Sequence, residues 1–193
     1  MKKYLIAKIL FTMLIMQYQV KAQSGKYGIF LSSDDYTHHK LSYGMDSISK
    51  NNKLVLHPST GASTICVITN GKKNVFKKKD IFGYRTNGKD YRVVNGEAFT
   101  IVDTLDFFVY SKIIELPLLK WHTEKATCYY FSNSINSAIE PLTKANIENT
   151  FTYNQQFELY LNASFKTDQE LMAYDKRVKK YKLKYLYEQF LKP

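Results

Sequence analysis

The chain has 193 residues and contains 28 Lys and Arg, 17 Asp and Glu, 16 Tyr and two Cys, which gives a formal charge of +11. Two cysteines without a histidine at metal-ligand spacing cannot build a tetrahedral site, so the composition argues against bound zinc and indicates no other cofactor. The length suits one domain with a sizeable buried core.

The first 22 residues have the charge and polarity profile of a secretory signal peptide. Three lysines precede the run Ile9–Met16, which is almost wholly apolar but shorter than the about 20 residues that a spanning helix needs. Val20 and Ala22 supply small residues at a cleavage site, and Gln23, not the cysteine of a lipid anchor, follows. We predict cleavage after Ala22, leaving a mature chain of charge +7 without a transmembrane segment, exported to the periplasm, cell surface or extracellular medium.

Residues 23–135 form the predicted β-rich part of a single domain that spans residues 23–193. Short apolar and aromatic clusters alternate there with turn residues, as expected for a series of strands. The candidate strands are Tyr27–Leu31, Lys53–Leu56, Thr64–Thr69, Lys73–Lys77, Asp80–Arg85, Asp90–Val94, Ala98–Val102, Phe107–Ser111 and Ala126–Phe131.

Asn-Gly pairs at positions 70–71, 87–88 and 95–96 predict tight turns between these strands. A type I′ hairpin needs positive φ at both central residues, and Asn and Gly tolerate it best. Counting outward from the pair at 87–88 places Arg85 opposite Asp90 and Tyr84 opposite Tyr91. Both are stabilising cross-strand combinations, so the register is self-consistent.

The two cysteines leave two possibilities open. Counting outward from the turn at 70–71 places Cys66 opposite Val75 in an apolar strand, and Cys128 also lies in a β-rich run. In an oxidising compartment the two thiols can form a disulfide. Each can equally be a buried free cysteine, because this residue type is often simply packed in a core.

Residues 136–193 form the predicted helical part, because the apolar spacing changes to steps of three and four. A first helix is expected near Ser137, which Glu140 follows at capping-box spacing, and a second over Asn154–Ala163. The last helix is predicted from the capping box Thr167–Glu170, with its lysines mostly in water and a tyrosine-rich stripe on the sheet. The stripe residues are Leu171, Tyr174, Val178, Tyr181 and Tyr185.

Catalytic motifs are weak in this sequence. It has no nucleophile elbow, paired glycosidase signature or phosphate loop. His38 and His39 follow two aspartates and can in principle ligate zinc, but adjacent histidines in a strand point to opposite faces, so a surface turn is the competing interpretation. We assign no catalytic residue and no metal ligand, and the sequence favours a protein that is not an enzyme.

A cluster of lysines indicates a possible anionic partner. Five cations within eight residues, interleaved with Val75 and Phe76, can join the lysines of the last helix in a patch for an anionic glycan or lipid. We do not expect nucleic acid as a partner, because export removes the protein from cytoplasmic nucleic acid. The five residues are Lys72, Lys73, Lys77, Lys78 and Lys79.

The hairpin over residues 80–92 is the predicted binding surface. It combines charged and aromatic side chains, and tyrosine is enriched where a surface is half wet. Mutual stabilisation of Arg85 and Asp90 explains the same residues without any ligand. The candidate binding residues are Asp80, Tyr84, Arg85, Asp90, Tyr91 and Arg92.

Several short motifs resemble a group of small, uncharacterised secreted proteins of Bacteroidota type. They are KKDIFGYR at 78–85, GKDYR at 88–92, YYFS at 129–132, PLT at 141–143 and AYDK at 173–176. The resemblance extends over most of the mature chain and is weakest at residues 115–124. It implies export from a Gram-negative cell and brings no activity, cofactor or catalytic residue.

The sequence therefore predicts an α+β fold. We expect an antiparallel sheet or partial barrel of about 7–9 strands, followed by two or three C-terminal helices. The predicted role is that of an exported, non-enzymatic binding or interaction protein of the cell envelope, with an envelope protein or an anionic glycan or lipid as its partner. The alternative is a small secreted hydrolase whose site is assembled from distant residues.

Overall fold

A computed structural model describes residues 25–56, 63–117, 123–151 and 154–191. The predicted signal peptide, residues 1–22, lies outside the described residues, as do His57 and His122. The fold is α+β, as predicted, with a large antiparallel sheet and three helices near the C-terminus.

Thirteen strands build three sheets in the described part of the chain. An antiparallel sheet of eight strands has the order β11-β10-β9-β8-β7-β6-β1-β2, β3-β4-β5 form a separate three-stranded sheet, and β12-β13 pair with each other. The strands are β1 Tyr27–Phe30, β2 Ser42–Met45, β3 Lys53–Leu56, β4 Thr64–Thr69, β5 Lys72–Lys77, β6 Gly83–Thr86, β7 Lys89–Val94, β8 Glu97–Asp103, β9 Phe108–Pro117, β10 Thr123–Ser132, β11 Glu140–Pro141, β12 Tyr174–Asp175 and β13 Lys180–Tyr181.

The helices are short and begin at side-chain caps where the sequence supplies them. Asn154 accepts the Phe157 amide at the start of one helix, as the sequence predicts, and Thr143 accepts the Asn146 amide at another. The α-helices are α1 Ser33–Thr37, α2 Lys144–Thr150, α3 Gln155–Ser164 and α4 Lys182–Phe190; Lys78–Asp80 and Asp168–Met172 are 3₁₀ turns.

The eight-stranded sheet is covered differently on its two faces. Alternate residues of a strand point to opposite faces, and one face, here the back face, carries two apolar clusters. Near β1 and β6 this face packs Ile29 against Ile65 and Val67 of the three-stranded sheet. Near β9 and β10 it packs Val109 and Phe131 against the C-terminal helices.

The opposite face, here the front face, is only partly covered. Phe30 packs there with Tyr36 of α1 and with Leu41, and Ile135 of the loop after β10 contacts this cluster. The charged side chains Arg85 and Arg92 belong to the same face, because they alternate with the back-face tyrosines along β6 and β7.

The predicted turns and registers are confirmed. The asparagine and glycine of each Asn-Gly pair have positive φ, between 51° and 81°. Arg85 pairs with Asp90 and Tyr84 with Tyr91, and Cys66 lies opposite Val75 in the neighbouring hairpin. Local turn chemistry therefore fixes which side chains face one another across both hairpins.

Two predictions for the helical part are wrong. Ser137 and Glu140 do not start a helix: Glu140 and Pro141 pair with β10, and α2 begins only after the cap at Thr143. The capping box at Thr167 starts a 3₁₀ turn that ends at Met172, and the chain then forms the β12-β13 hairpin.

The predicted tyrosine stripe is therefore not a helix face. Tyr174, Val178 and Tyr185 are each more than two-fifths exposed, and α4 buries Leu183 and Leu186 instead. Lys184, predicted to lie in water, is buried. Residues 174–181 form the β12-β13 hairpin and are not helical. The helix α4 therefore starts later than predicted and turns different residues towards the sheet.

Of the two possibilities for the cysteines, this structure has the free thiols and no bond between them. Cys66 is a buried free thiol in the three-stranded sheet, and Cys128 is a half-buried free thiol in β10 of the large sheet. None of the helices that the structure describes is both long and apolar enough to cross a bilayer.

Candidate functional site

The β6-β7 hairpin divides the predicted binding residues between two faces and a turn. Arg85, Asp90 and Arg92 lie on the front face, whereas Tyr84 and Tyr91 lie on the back face. Asp80 is exposed in the 3₁₀ turn that precedes β6. The six residues therefore do not form one surface.

Arg85 and Asp90 form a two-pronged ion pair. Arg85 Nε donates to Asp90 Oδ1 at 2.5 Å and Nη2 donates to Oδ2 at 2.8 Å, with both side chains more than four-fifths buried. The guanidinium also lies over the Phe30 ring, 5.5 Å from its centroid. The hydrogen bonds to Asp90 raise the pKa of Arg85, so the pair is charged and internally neutralised.

Tyr84 and Tyr91 are core residues. Their rings stack with centroids 4.8 Å apart and planes 12° apart, in the cluster that joins the two larger sheets. Burial raises the pKa of Tyr84 to about 12. The sequence prediction that this pair contributes to a binding surface does not fit their position.

Arg92 links three strands and a loop beneath the front face. Its Nη1 donates to the Tyr110 hydroxyl at 2.9 Å and to Ser132 Oγ at 3.3 Å, and its Nη2 donates to the Ser137 carbonyl at 2.9 Å. The residue is 7% exposed and its guanidinium lies over the rings of Phe82 and Tyr110. These contacts assign Arg92 a structural role in holding the 133–139 loop.

A groove of about 520 Å³ opens where β7 and β8 diverge. The two strands pair up to Tyr91 and Thr100, and the residues beyond that pair form the walls. A register shift in β8 between Ile101 and Asp103 bends this end of the strand. The lining residues are Tyr36, Gly88, Lys89, Asp90, Thr100, Ile101, Val102, Asp103, Thr104 and Ser111.

The two carboxylates in the groove are compensated, whereas the lining cation Lys89 is exposed and forms no ion pair among the described residues. Asp90 is held by Arg85, and Asp103 Oδ1 accepts the Leu105 amide at 2.7 Å and lies 3.6 Å from Lys184 Nζ. Burial, and next the charge of Asp90, raise the pKa of Tyr36 to about 12, so its hydroxyl is neutral at physiological pH. The groove thus offers hydroxyls and satisfied carboxylates, a chemistry suited to hydrogen bonding.

Lys184 closes the base of this region from the C-terminal helix. Its ammonium donates to the carbonyls of Leu105 and Phe107 and lies 3.5 Å from the centroid of the Phe107 ring. Burial lowers the pKa of Lys184 to about 8, although Asp103 opposes the shift. The side chain is 1% exposed, so it anchors α4 to the β8-β9 turn and is inaccessible to a ligand.

The histidine pair does not gather a metal site. His38 directly follows α1, and its Nδ1 lies 3.2 Å from Oδ1 of Asp34. The His39 ring packs against Tyr36. Within residues 25–56, 63–117, 123–151 and 154–191, no three His, Cys, Asp or Glu side chains cluster as metal ligands.

The groove includes residues that the sequence analysis did not assign. Asp90 is the predicted site residue that lines it, while Tyr36 and the β8 residues 100–104 were not predicted. A strand bulge leaves no recognisable signal in Thr100–Thr104, and α1 is only five residues long. The capping pattern Ser32-x-x-Asp35 is the one local signal that marks this helix.

The lysine cluster lies elsewhere. Lys72, Lys73 and Lys77 are exposed on β5, an edge strand of the three-stranded sheet, and Lys78 and Lys79 follow in the 3₁₀ turn. The lysines of the last segment lie on the β12-β13 hairpin and α4, which pack on the far part of the large sheet.

Comparison of the chain with protein-family models, with curated proteins and with solved structures found no match.

Proposed function

We propose that this protein is an exported, non-enzymatic binding protein of the cell envelope, and that the groove between β7 and β8 receives its ligand. The observation that carries the proposal is the groove itself, about 520 Å³ in volume beside the ion-paired hairpin. Two other surface cavities, of about 140 and 190 Å³, are much smaller. The larger groove has room for a small ligand or a short segment of a larger one.

The two compensated carboxylates of the lining favour an uncharged, polar ligand over a cation. Asp90 and Asp103 are compensated by neighbouring cations, and the hydroxyls of Thr100, Thr104 and Ser111 can each donate and accept a hydrogen bond. A ligand rich in hydroxyl or amide groups satisfies these partners without burying an unpaired charge. An envelope oligosaccharide has this chemistry.

The same geometry favours binding over hydrolysis. A general base must be free to take a proton from a nucleophile within hydrogen-bond reach. Both oxygens of Asp90 accept from Arg85, and Asp103 accepts a backbone amide while facing Lys184. These carboxylates hold the walls of the groove in place, and we propose no catalytic step for them.

Filling the groove tests the proposal. Thr104→Trp places a bulky side chain at an exposed lining position, and Thr123→Trp, at an exposed position on β10 outside the groove, is the matched control. Ligand-observed NMR with uncharged envelope oligosaccharides should show binding to the native protein and to the control, with loss in Thr104→Trp. Equal binding by both variants, no binding by the native protein, or cleavage of the oligosaccharide contradicts the proposal.

Export is tested separately by mass spectrometry of the protein from fractionated cells. We expect the mature chain to begin at Gln23 and to lie outside the cytoplasm. Full-length protein that retains Met1 inside the cytoplasm contradicts this part of the proposal.

A further inference from the structure

The excess positive charge of the chain is concentrated in one small sheet. Residues 47–79 contain seven lysines and no Asp or Glu. Residues 23–46 and 80–193 hold 17 basic residues and all 17 acidic ones, so they balance. The seven lysines are Lys50, Lys53, Lys72, Lys73, Lys77, Lys78 and Lys79.

This acid-free segment forms β3, β4 and β5, and among the described residues the apolar contacts with the large sheet involve one face of this sheet. Its inner face carries Ile65 and Val67, both fully buried, which pack with Leu54, Leu56 and Phe76 against the large sheet. The alternate residues of the three strands therefore point away from the core, and they form the outer face.

The outer face combines an apolar centre with lysines on either side. Its central row, read across the strands, is Val55-Cys66-Val75; the flanking rows are Lys53-Ile68-Lys73 and Thr64-Lys77. Val75 on the edge strand β5 is 57% exposed, whereas Cys66 on the central strand β4 is buried. Lys73 and Lys77 are four positions apart on β5, about 13 Å, so these two cations flank the exposed Val75.

Among the residues that the structure describes, these lysines form no ion pair with a carboxylate. Within the part of the chain that the structure describes, the ion pairs involve other cations, such as Arg85 with Asp90 and Lys180 with Glu188. Like charges gathered on one surface repel one another, and a surface of mixed sign avoids that cost. The segregation therefore requires an explanation.

Protection of sheet edges explains only part of it. Lysines on exposed edge strands such as β3 and β5 prevent pairing with another chain. Glutamate and aspartate protect an edge as well, however, and the sheet contains neither. Edge protection also gives no reason for an exposed valine between the lysines.

We infer that the outer face of the β3-β5 sheet docks the protein on a bilayer that contains anionic phospholipids. The lysines pair with headgroup phosphates, and the row through Val75 enters the interface between them. The described side chains of this face include no aromatic ring on which a sugar can stack, which favours a membrane over a glycan. The inference rests on the proposed envelope location for its biological setting only.

Vesicle binding tests the inference directly. The mature protein should sediment with phosphatidylglycerol-containing vesicles and not with pure phosphatidylcholine vesicles, and added salt should weaken the binding. The triple variant Lys53→Gln, Lys73→Gln, Lys77→Gln should bind about 100-fold more weakly. The control Lys125→Gln, Lys166→Gln, Lys176→Gln removes the same charge from exposed positions elsewhere and should retain most of the affinity.

Lysine-to-arginine changes at residues 53, 73 and 77 keep the charge and should keep binding, which separates a loss of docking from a loss of folding. Equal losses in both glutamine variants, equal binding to neutral vesicles, or no binding by the native protein would overturn the inference. Binding to heparin without binding to vesicles would also overturn it. None of these results depends on the oligosaccharide groove or on export, so each proposal can fail alone.

Discussion

The β6-β7 hairpin and the β3-β5 sheet use charged residues in opposite ways. Both consist of short strands joined by an Asn-Gly turn, and both carry several cations. In the hairpin, Arg85 is paired with Asp90 and Arg92 is buried among hydrogen-bond acceptors. In the sheet, Lys73 and Lys77 face solvent. The position of the partners, and not the number of charges, separates a structural cation from a candidate contact.

The largest effect should come from the buried cation with the most side-chain hydrogen bonds in the β6-β7 hairpin, Arg92. Arg92→Met removes the three hydrogen bonds that Arg92 donates to the Tyr110 hydroxyl, Ser132 Oγ and the Ser137 carbonyl, and of these acceptors Ser132 keeps its bond to Tyr110. We expect a loss of about 3 kcal/mol in unfolding free energy. Urea unfolding measures it. The exposed neighbour Lys89→Met should change stability by less than about 0.5 kcal/mol. Similar small effects at both positions would remove the contrast between buried and exposed cations.

The Arg85 and Asp90 pair should show strong coupling. Arg85→Asp alone places two carboxylates together in a mostly buried position and should destabilise by about 2 kcal/mol, less than a fully buried pair would. Adding Asp90→Arg restores an opposite-charge pair and should recover most of the loss. Independent effects in this double-mutant cycle would show that the pair is not the unit that holds the hairpin.

The buried Lys184 should make the free energy of unfolding depend on pH. Its folded pKa of about 8 lies below the unfolded value, so burial costs most below pH 8, where both states are protonated. As pH rises from about 8 towards 10, the folded state releases its proton first and this group's contribution to stability improves, on the order of 2 kcal/mol.

Lys184→Met should abolish that improvement. The measurement is the difference in unfolding free energy between native protein and variant at pH 7 and at about pH 9.5, below the range in which Tyr36 and Tyr84 titrate. A constant difference across that range would contradict the assignment of a buried ammonium to this position.

The smallest stability effect belongs to the lysine-rich sheet. Lys53→Gln, Lys73→Gln, Lys77→Gln removes three exposed charges without a described ion-pair partner and should change unfolding free energy by less than about 0.5 kcal/mol per site. Thermal or urea unfolding at low and high salt measures it. A large destabilisation would show that these lysines, like Arg92, stabilise the fold.

The β-rich part could be predicted because its signals are local. Asn-Gly turns fix both the conformation and the register, so Arg85 opposite Asp90 follows from counting residues. Strand β2 was missed because Ser42–Met45 is short, contains a glycine and pairs with β1 across an irregular register. Its place in the sheet depends on tertiary contacts.

The helical part was harder because capping patterns do not decide helix length. The box at Thr167 is followed by good helix formers, yet the chain leaves the helical conformation at Ala173 and turns through Lys179, whose φ is 53°. The later helix α4 carries Leu183 and Leu186, which pack in the apolar cluster of the large sheet. Tertiary packing therefore overrides the local propensity.

The site was only partly visible in the sequence. Asp90 was found because it belongs to a recognisable hairpin, but Tyr36 and Thr104 reach the groove from distant parts of the chain. The five clustered lysines were visible as a run. The absence of Asp and Glu from residues 47–79 became meaningful because this segment forms one separate sheet, β3-β5.

Amide hydrogen exchange of the native mature protein, with and without phosphatidylglycerol vesicles, tests the central claim most directly. If the lysines of the outer face contact the membrane, exchange should slow in β3-β5 and remain unchanged in the β6-β7 hairpin. Slowing confined to residues 174–190, or spread evenly over both regions, would contradict it.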